Sequence, residues 1–201
     1  MKQFIIAIIL ILLVQSADLL AFKSYELFCD KALLEESEKI ALTQIGITER
    51  TNRNDGEVEK YLHAVGLGKG NPYCAAGIYW CFAKAAEELK YDAKAIPIPK
   101  TGLVANILNY TKKNGMKTKR NAEKHSLLVW LRTNKRQGHI ERVYRVREAG
   151  WVDAIGFNTT SPDKSDKKEG VYMKSRNILH PLGRLRFAAL IIFRTNKDAS
   201  I

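Results

Sequence analysis

The sequence predicts an α+β domain in which a central helix packs on an antiparallel β-sheet. Helical apolar spacing fills the first half of the chain, and short runs rich in β-branched and aromatic residues fill the second half. One predicted helix, residues 74–89, is apolar on nearly all sides over its first turns, which is typical of a helix buried in a core. Helices followed by strands with short connections favour an antiparallel sheet packed on that helix.

Length and composition predict a single domain behind a targeting segment. A chain of 201 residues can bury one good core but hardly two. Its hydrophobic fraction of 46% and charged fraction of 27%, without low-complexity tracts, are typical of a globular protein and exclude a disordered or fibrous one. We therefore expect residues 17–201 to form one monomeric domain with one active site, after a signal peptide over residues 1–16.

The N-terminus has the order of charged, apolar and small residues that is typical of a secretory signal peptide. Lys2 precedes an unbroken apolar run over residues 4–14, and Ser16 and Ala17 follow shortly after it. The run is shorter than the roughly 20 residues of a membrane-spanning helix, although residues 19–22 would lengthen it in an uncleaved anchor. Cleavage near Ser16 or Ala17 is favoured, so we expect an exported protein, periplasmic or extracellular.

The charge balance predicts contact with anionic polymers. The formal net charge is +12 and the isoelectric point is near 9.6, and basic residues cluster over residues 112–120, 132–136 and 142–147. No aromatic residue that could stack on bases lies in the first two clusters, and an exported protein meets cell-wall polymers and membrane surfaces. We expect transient contact with an anionic envelope and no nucleic-acid partner, while a solvated surface without any partner remains an alternative.

The helices can be placed in chain order from their apolar spacing and their stop signals. Apolar residues recur along one face of the first helix until Gly46, and a shorter second helix ends at Gly66. The glycines and the proline of residues 68–72 then favour a sharp turn into the central helix. The predicted helices cover residues 27–45, 57–65, 74–89 and 103–113.

The strands are predicted from short apolar runs in the second half of the chain. These runs are rich in β-branched or aromatic residues, and turn-like breaks separate them. They cover residues 127–131, 139–147, 151–157, 171–174 and 186–193.

Cys74 is the candidate nucleophile. The chain has three cysteines, so in an oxidising compartment at least one thiol is unpaired or bonded outside the chain. Cys74 falls in the first turn of the central helix, where unsatisfied backbone N–H groups and the helix dipole favour negative charge. The thiolate is the reactive form of a cysteine, and a nearby imidazolium stabilises it further.

Cys81 is the rival nucleophile on the same helix. It lies about two turns further along nearly the same face, beyond the field of the helix end. Because Trp80 and Phe82 flank it, it is expected to be an inert buried thiol. About 10 Å of helix rise separates it from Cys74, which is too far for a disulfide. The pairing of Cys29 stays open.

His139 is the preferred base among the four histidines of the chain. It follows Gly138 at the start of a predicted strand, where its ring can meet the beginning of a helix. His63 is expected on a helix surface, and His125 and His180 are expected in exposed connections.

A third polar group is needed to orient the imidazole by accepting its second N–H, and Asn, Asp or Glu can serve. Asn158 ends the strand that follows the strand of His139, and adjacent antiparallel strands bring such residues side by side. Asn158 is therefore the candidate, although an ordinary residue of a strand-ending turn would give the same signal.

The segments around these residues resemble the CHAP family, the cysteine, histidine-dependent amidohydrolases/peptidases, which are related to the NlpC-type hydrolases. The resemblance rests on the order and spacing of three segments, with weaker similarity over residues 33–193 as a whole. The three segments are Asn71-Pro72-Tyr73-Cys74-Ala75-Ala76, Gly138-His139-Ile140 and Phe157-Asn158-Thr159.

The resemblance implies a papain-like fold and hydrolysis of peptidoglycan at an amide or peptide bond. Carried over to this chain, it implies that Cys74 is the nucleophile, His139 the base and Asn158 the polar residue behind the histidine. The backbone N–H of Cys74 would contribute to an oxyanion hole, which Tyr73 would help to line. Such an enzyme needs no metal ion and no organic cofactor, and peptidoglycan is the expected partner.

Two positions depart from the pattern of the family. Many relatives carry a glutamate two residues before the asparagine, where this chain has Gly156, and a small residue after Ile140, where it has Glu141. Strand alternation puts Glu141 on the same side as His139. Glu141 could therefore hold the imidazole, contact the substrate or obstruct the cleft.

The leading hypothesis is an exported peptidoglycan hydrolase, an amidase or endopeptidase, that works through an acyl-enzyme on Cys74. The alternative is a catalytically inactive wall-binding or interaction module of the same fold, which Gly156 and Glu141 motivate. A third hypothesis is a polyanion-binding protein driven by its basic surface.

Overall fold

The computed structural model describes residues 23–133 and 137–195. The signal peptide predicted over residues 1–16 lies outside these ranges. Within them, no helix combines the length and the apolar character that crossing a membrane requires. The described residues form a mixed α+β structure with one seven-stranded sheet, and its α-helices are α1 (Lys31–Thr43), α2 (Glu59–Ala64), α3 (Cys74–Glu88) and α4 (Val104–Asn114).

The sheet is built mainly from successive hairpins. Its strands lie in the order β2-β1-β7-β3-β4-β5-β6, and each neighbouring pair from β7 to β6 is antiparallel. The strands are β1 (Ser24–Phe28), β2 (Met116–Thr118), β3 (Leu127–Leu131), β4 (Gly138–Val146), β5 (Trp151–Thr160), β6 (Glu169–Asn177) and β7 (Arg186–Arg194).

The first strand corrects the predicted start of the first helix. Leu27 and Phe28 lie in β1 instead, where Leu27 is buried and Phe28 is exposed, as neighbouring residues of a strand on opposite faces are. The helix begins only after Asp30, whose side chain accepts hydrogen bonds from the backbone N–H groups of Ala32 and Leu33 at 2.9 and 3.1 Å. Because β1 runs parallel to β7, the sheet is mixed rather than wholly antiparallel.

The central helix α3 lies between the sheet and α1, as its all-round apolar pattern predicted. It approaches β5 closely at Gly77, where a Cβ atom would come within 2.2 Å of Cδ1 of Phe157. Only glycine allows this approach, since real Cβ contacts are essentially never shorter than 3.0 Å. The approach fixes the first turn of α3, and with it Cys74, against the strands.

A buried arginine ties β4 to α1. The guanidinium of Arg142 donates hydrogen bonds to Oγ of Ser37 at 2.8 Å and to the carbonyl oxygen of Leu34 at 2.7 Å. It also lies 5.3 Å from the centre of the Phe82 ring. Burial lowers the pKa of Arg142 to about 10, so the group stays charged at neutral pH. These contacts hold the strand that carries His139 in a fixed position relative to the helices.

Candidate active site

Cys74 is the first residue of α3, as predicted. The loop before it turns at Gly70, whose φ of 86° suits glycine, and Pro72 leads into the helix. Sγ of Cys74 lies 4.0 Å from the carbonyl oxygen of Gly138 at the start of β4. Its thiol is free, so it is available for nucleophilic chemistry.

His139 meets the thiol of Cys74, and the two predicted partners are therefore brought together. Nε2 of the ring lies 2.9 Å from Oε1 of Glu141, which leaves Nδ1 as the ring nitrogen for the thiol. Burial alone would lower the pKa of His139, but hydrogen bonds with the side chains of Cys74 and Glu141 outweigh it and raise the pKa to about 9. The imidazole is therefore protonated at neutral pH.

Glu141 is the group behind the imidazole, and it is fully buried. Arg176 of β6 donates to it with both branches of its guanidinium, from Nε to Oε2 at 2.8 Å and from Nη2 to Oε1 at 2.5 Å. Burial alone would raise the pKa of Glu141, but the hydrogen bonds from Arg176 and His139 hold it at about 2. The carboxylate therefore stays ionised throughout the physiological range.

These contacts form a row of alternating charge from Arg176 through Glu141 to His139, and the row ends at the thiol of Cys74. Each buried charge in the row has an opposite neighbour, which is the condition under which ions are tolerated away from water. The row orients the imidazole toward the thiol. It also stabilises the imidazolium that forms when the ring accepts the thiol proton.

Asn158 does not occupy the predicted position behind the imidazole, and this is a correction. Its side chain accepts a hydrogen bond from the backbone N–H of Tyr73 at 3.3 Å and donates to Asn54 at 2.7 Å and to Glu49 at 3.3 Å. The reason is local, because Asn158 has a left-handed φ of 55°, which turns its side chain out of the strand alternation. It fixes the loop before α3 rather than the ring of His139.

Tyr73 does not line the approach to the thiol, which corrects its expected role in the oxyanion hole. Its side chain is fully buried and stacks on Tyr61, with ring centres 5.7 Å apart. Burial raises its pKa well above the ordinary value of a tyrosine. Its backbone N–H is already engaged by Asn158. Tyr73 therefore supports the start of α3 from the core.

Arg176 is a residue of the site that the sequence did not reveal. A charged residue near the end of a strand is a weak signal, and other strands of this chain also carry basic residues. Arg176 differs because its side chain reaches over β5 to Glu141, two strands away in the sheet. This contact depends on the register and twist of three strands, which the sequence alone does not give.

The remaining cysteines and histidines lie away from the thiol of Cys74. Burial raises the pKa values of Cys29 and Cys81 to about 12, so both are inert thiols, as expected for Cys81. His63 and His180 are exposed, as expected. His125 is not, because it is half-buried and its Nδ1 lies 3.0 Å from both Glu38 and Arg142.

A groove with a volume of about 430 Å³ opens beside the thiol. Cys74 and Gly138 lie in it, and its walls come from the loop before α3 and from the start of α4, including Pro72 and Val104. A substrate carbonyl can therefore reach Sγ from this side. Among the described residues, no three His, Cys, Asp or Glu side chains are grouped so that they could hold a metal ion.

Comparison of this chain with protein-family models, with curated proteins and with solved structures gave no match.

Proposed function

We propose that this chain is an exported cysteine hydrolase of papain-like fold that cleaves peptide or amide bonds of peptidoglycan. The observation that carries the proposal is the contact between the thiol of Cys74, at the start of a buried helix, and the ring of His139, which Glu141 holds from behind. The choice of peptidoglycan rests on the resemblance of the three segments around Cys74, His139 and Asn158 to the CHAP family.

In the proposed reaction His139 holds the proton of the Cys74 thiol, so the reaction begins from a thiolate paired with an imidazolium. The thiolate attacks the substrate carbonyl carbon, and the oxygen takes up negative charge near the first turn of α3. Backbone N–H groups in that turn, including that of Cys74, have no partner within the helix and can stabilise this charge. His139 then gives its proton to the leaving amine, and water hydrolyses the acyl-enzyme to release the acid and the free thiol.

Glu141 is the residue that orients the imidazole of His139 in this mechanism. Its carboxylate accepts the hydrogen bond from Nε2 of His139, which fixes the ring with Nδ1 toward the sulfur. Because Arg176 keeps Glu141 ionised, the imidazolium retains a negative partner throughout the reaction. Asn158 acts further away, through the loop that leads to Cys74.

The charge of the whole chain and its first residues support the cellular setting. A net charge of +12 attracts the chain to the anionic polymers of a cell envelope. The charged, apolar and small residues over residues 1–17 are those of an export signal.

Digestion of purified peptidoglycan by the full chain tests the proposal. We expect soluble fragments whose masses identify the cleaved bond, and we expect Cys74→Ala to abolish their release. Cys81→Ala is the matched control, because it removes a thiol from the same helix without touching the site. The proposal is wrong if Cys74→Ala releases fragments as fast as the parent chain.

The alternative of an inactive module was motivated by Gly156 and Glu141. In the structure Glu141 is the carboxylate partner of His139, and Gly156 on the neighbouring strand leaves room for this carboxylate. This arrangement favours the enzyme over the inactive module. Labelling with iodoacetamide at mildly acidic pH separates the two hypotheses, since only a thiolate paired with an imidazolium reacts quickly there. Selective labelling of Cys74 supports the enzyme, and uniformly slow thiols support the module.

A further inference from the structure

The groove beside Cys74 is lined by uncharged residues, although the protein as a whole is rich in charged ones. Lysine, arginine, aspartate and glutamate make up 27% of the chain, yet none of them is among the described residues that line the groove. Its walls are largely aliphatic, and they are contributed by Leu67, Pro72, Leu103, Val104 and Leu185. A charged group that entered it would lose water without gaining an opposite charge from these residues.

The polar side chains of the groove are neutral amides. Asn71 donates from Nδ2 to the carbonyl oxygen of Gly68 at 3.0 Å, which leaves its Oδ1 as an acceptor. Gln137 accepts a bond from Arg132 on its Oε1 at 3.1 Å, which leaves its Nε2 as a donor. One acceptor and one donor suit the N–H and the carbonyl of a peptide group.

The wall of the groove around Leu103 is formed by two loops that pack against each other. Leu103 precedes α4 and is 38% exposed, so an apolar side chain faces solvent at the groove. The neighbouring Gly102 packs so tightly that a Cβ atom there would come within 2.5 Å of Cδ1 of Leu67. The two loops that form this wall are therefore in direct contact.

The position of the groove beside Cys74 and away from His139 suits the acyl side of the substrate, which stays bonded to the sulfur. Sγ of Cys74 bonds to the carbonyl carbon, so the residue that carries this carbonyl lies beside the sulfur, where the groove is. His139, which must protonate the leaving amine, is not among the described lining residues. The leaving group therefore departs on the other side of the thiol.

On these grounds we infer that the groove selects a peptide segment with uncharged side chains on the acyl side of the cleaved bond, and that Leu103 determines this selectivity. The inference rests on the proposed function, because it assigns the substrate class of the same site.

The test uses peptidyl chloromethyl ketones, which alkylate a catalytic thiol from the acyl side. The three reagents are acetyl-Ala-Ala chloromethyl ketone and its analogues with Asp or Lys in place of the second Ala. The rate of Cys74 alkylation is followed by the mass of the intact chain. We expect the alanine reagent to react at least about tenfold faster than both charged reagents, because burial of an unpaired charge in an apolar site is unfavourable.

Substitution at Leu103 assigns the selectivity to this residue. We expect Leu103→Asp to raise the rate of the lysine reagent relative to the alanine reagent about tenfold, because it supplies an opposite charge. Leu103→Asn has the same shape without the charge and should leave that ratio within about twofold of the parent chain. Rates with iodoacetamide, which is too small to fill the groove, correct for any change in the thiol itself.

Two outcomes overturn different claims. Equal rates for the three reagents, with alkylation that depends on His139, would overturn the selectivity of the groove and leave the hydrolase proposal standing. If His139→Ala reacts as fast as the parent chain with every reagent, the proposed function fails, and the inference fails with it.

Discussion

Glu141 and Gly156 face each other across β4 and β5, and the carboxylate of Glu141 lies where a side chain at residue 156 would begin. A Cβ atom on Gly156 would come within 2.7 Å of Oε1 of Glu141. The carboxylate of Glu141 therefore fills the space that a side chain at residue 156 would need. The two departures from the family pattern are thus parts of one arrangement.

Exchange of these two residues is the first prediction. Glu141→Ala should lower the rate of peptidoglycan cleavage by about 10²- to 10⁴-fold, because the imidazole loses its orienting partner. The double variant Glu141→Gly with Gly156→Glu should recover at least about tenfold of this loss, because it returns a carboxylate to the same space from the neighbouring strand. Initial rates of fragment release measure both effects.

The matched control for the exchange is Gly156→Glu alone, which crowds two carboxylates behind one imidazole. We expect it to be less active than the double variant. If the double variant is no more active than Glu141→Gly, the carboxylate cannot be supplied from β5 and the exchange hypothesis is wrong.

A smaller change at Gly156 gives the second prediction. Gly156→Ala places a methyl group against the carboxylate of Glu141 and within 3.0 Å of Cγ2 of Thr159. The carboxylate is held by Arg176 and His139 and must shift, so the rate of cleavage should fall by about 10- to 100-fold. The fold should remain intact, as circular dichroism would show. An unchanged rate would mean that the position of the carboxylate is not critical.

The third prediction concerns the pH dependence of stability. The pKa of His139 rises from an ordinary 6.5 to about 9 on folding, so its stabilising contribution is complete below pH 6.5 and is lost as the pH rises through 9. The pKa of Glu141 falls from 4.5 to about 2, so its contribution is complete above pH 4.5 and is lost as the pH falls through 2. The two groups together stabilise the fold most between pH 4.5 and 6.5.

Urea unfolding at a series of pH values measures this profile. Glu141→Gln should be less stable than the parent chain between pH 4.5 and 6.5. It should also lose less stability on either side of that range, because it removes the acidic group itself and one of the two partners, Cys74 and Glu141, that raise the pKa of His139. The alkaline decline between the two His139 pKa values should amount to about 3 kcal/mol in the parent chain. An equally steep decline in Glu141→Gln would contradict the assignment.

Arg176 provides the fourth prediction. Arg176→Met leaves the buried carboxylate of Glu141 without its bidentate partner, so the free energy of unfolding at neutral pH should fall by about 3 kcal/mol. Because the pKa of Glu141 then rises, the loss of cleavage rate at acidic pH should begin at a higher pH than in the parent chain. Arg145→Met is the control, since Arg145 forms a more exposed pair with Asp153 and should cost less than about 1 kcal/mol. Equal effects of the two substitutions would refute the role of Arg176.

The fifth prediction separates the two effects of Asn158. Asn158→Ala loses the hydrogen bonds to Tyr73, Asn54 and Glu49 and also strains a backbone with a φ of 55°. Asn158→Gly loses the same bonds without the strain. We expect both to destabilise the fold, by about 1–3 kcal/mol, with the alanine variant the less stable. Both should retain more activity than Glu141→Ala, and a loss as large as that of Glu141→Ala would contradict the assignment of Asn158 to the loop before α3 rather than to the ring of His139.

The sequence by itself determined the helix that carries Cys74, the strand that begins at Gly138 and His139, and the hairpins that follow. These features depend on apolar spacing, turn residues and the chemistry of a helix end, which act over a few neighbouring residues. The strand over residues 24–28 was missed because its few apolar residues precede a helical pattern that extends into them. Its pairing partner β7 lies at the far end of the chain.

Only the tertiary structure decided which residue stands behind His139. Regular alternation and pairing would put Asn158 opposite His139, but the left-handed backbone of Asn158 turns its amide toward the loop before α3. Glu141 and Arg176 approach each other over Gly156, through the register and twist of three strands. The position of Cys74 was predictable because a local helix end defines it, whereas the partner of His139 depends on contacts between residues far apart in the chain.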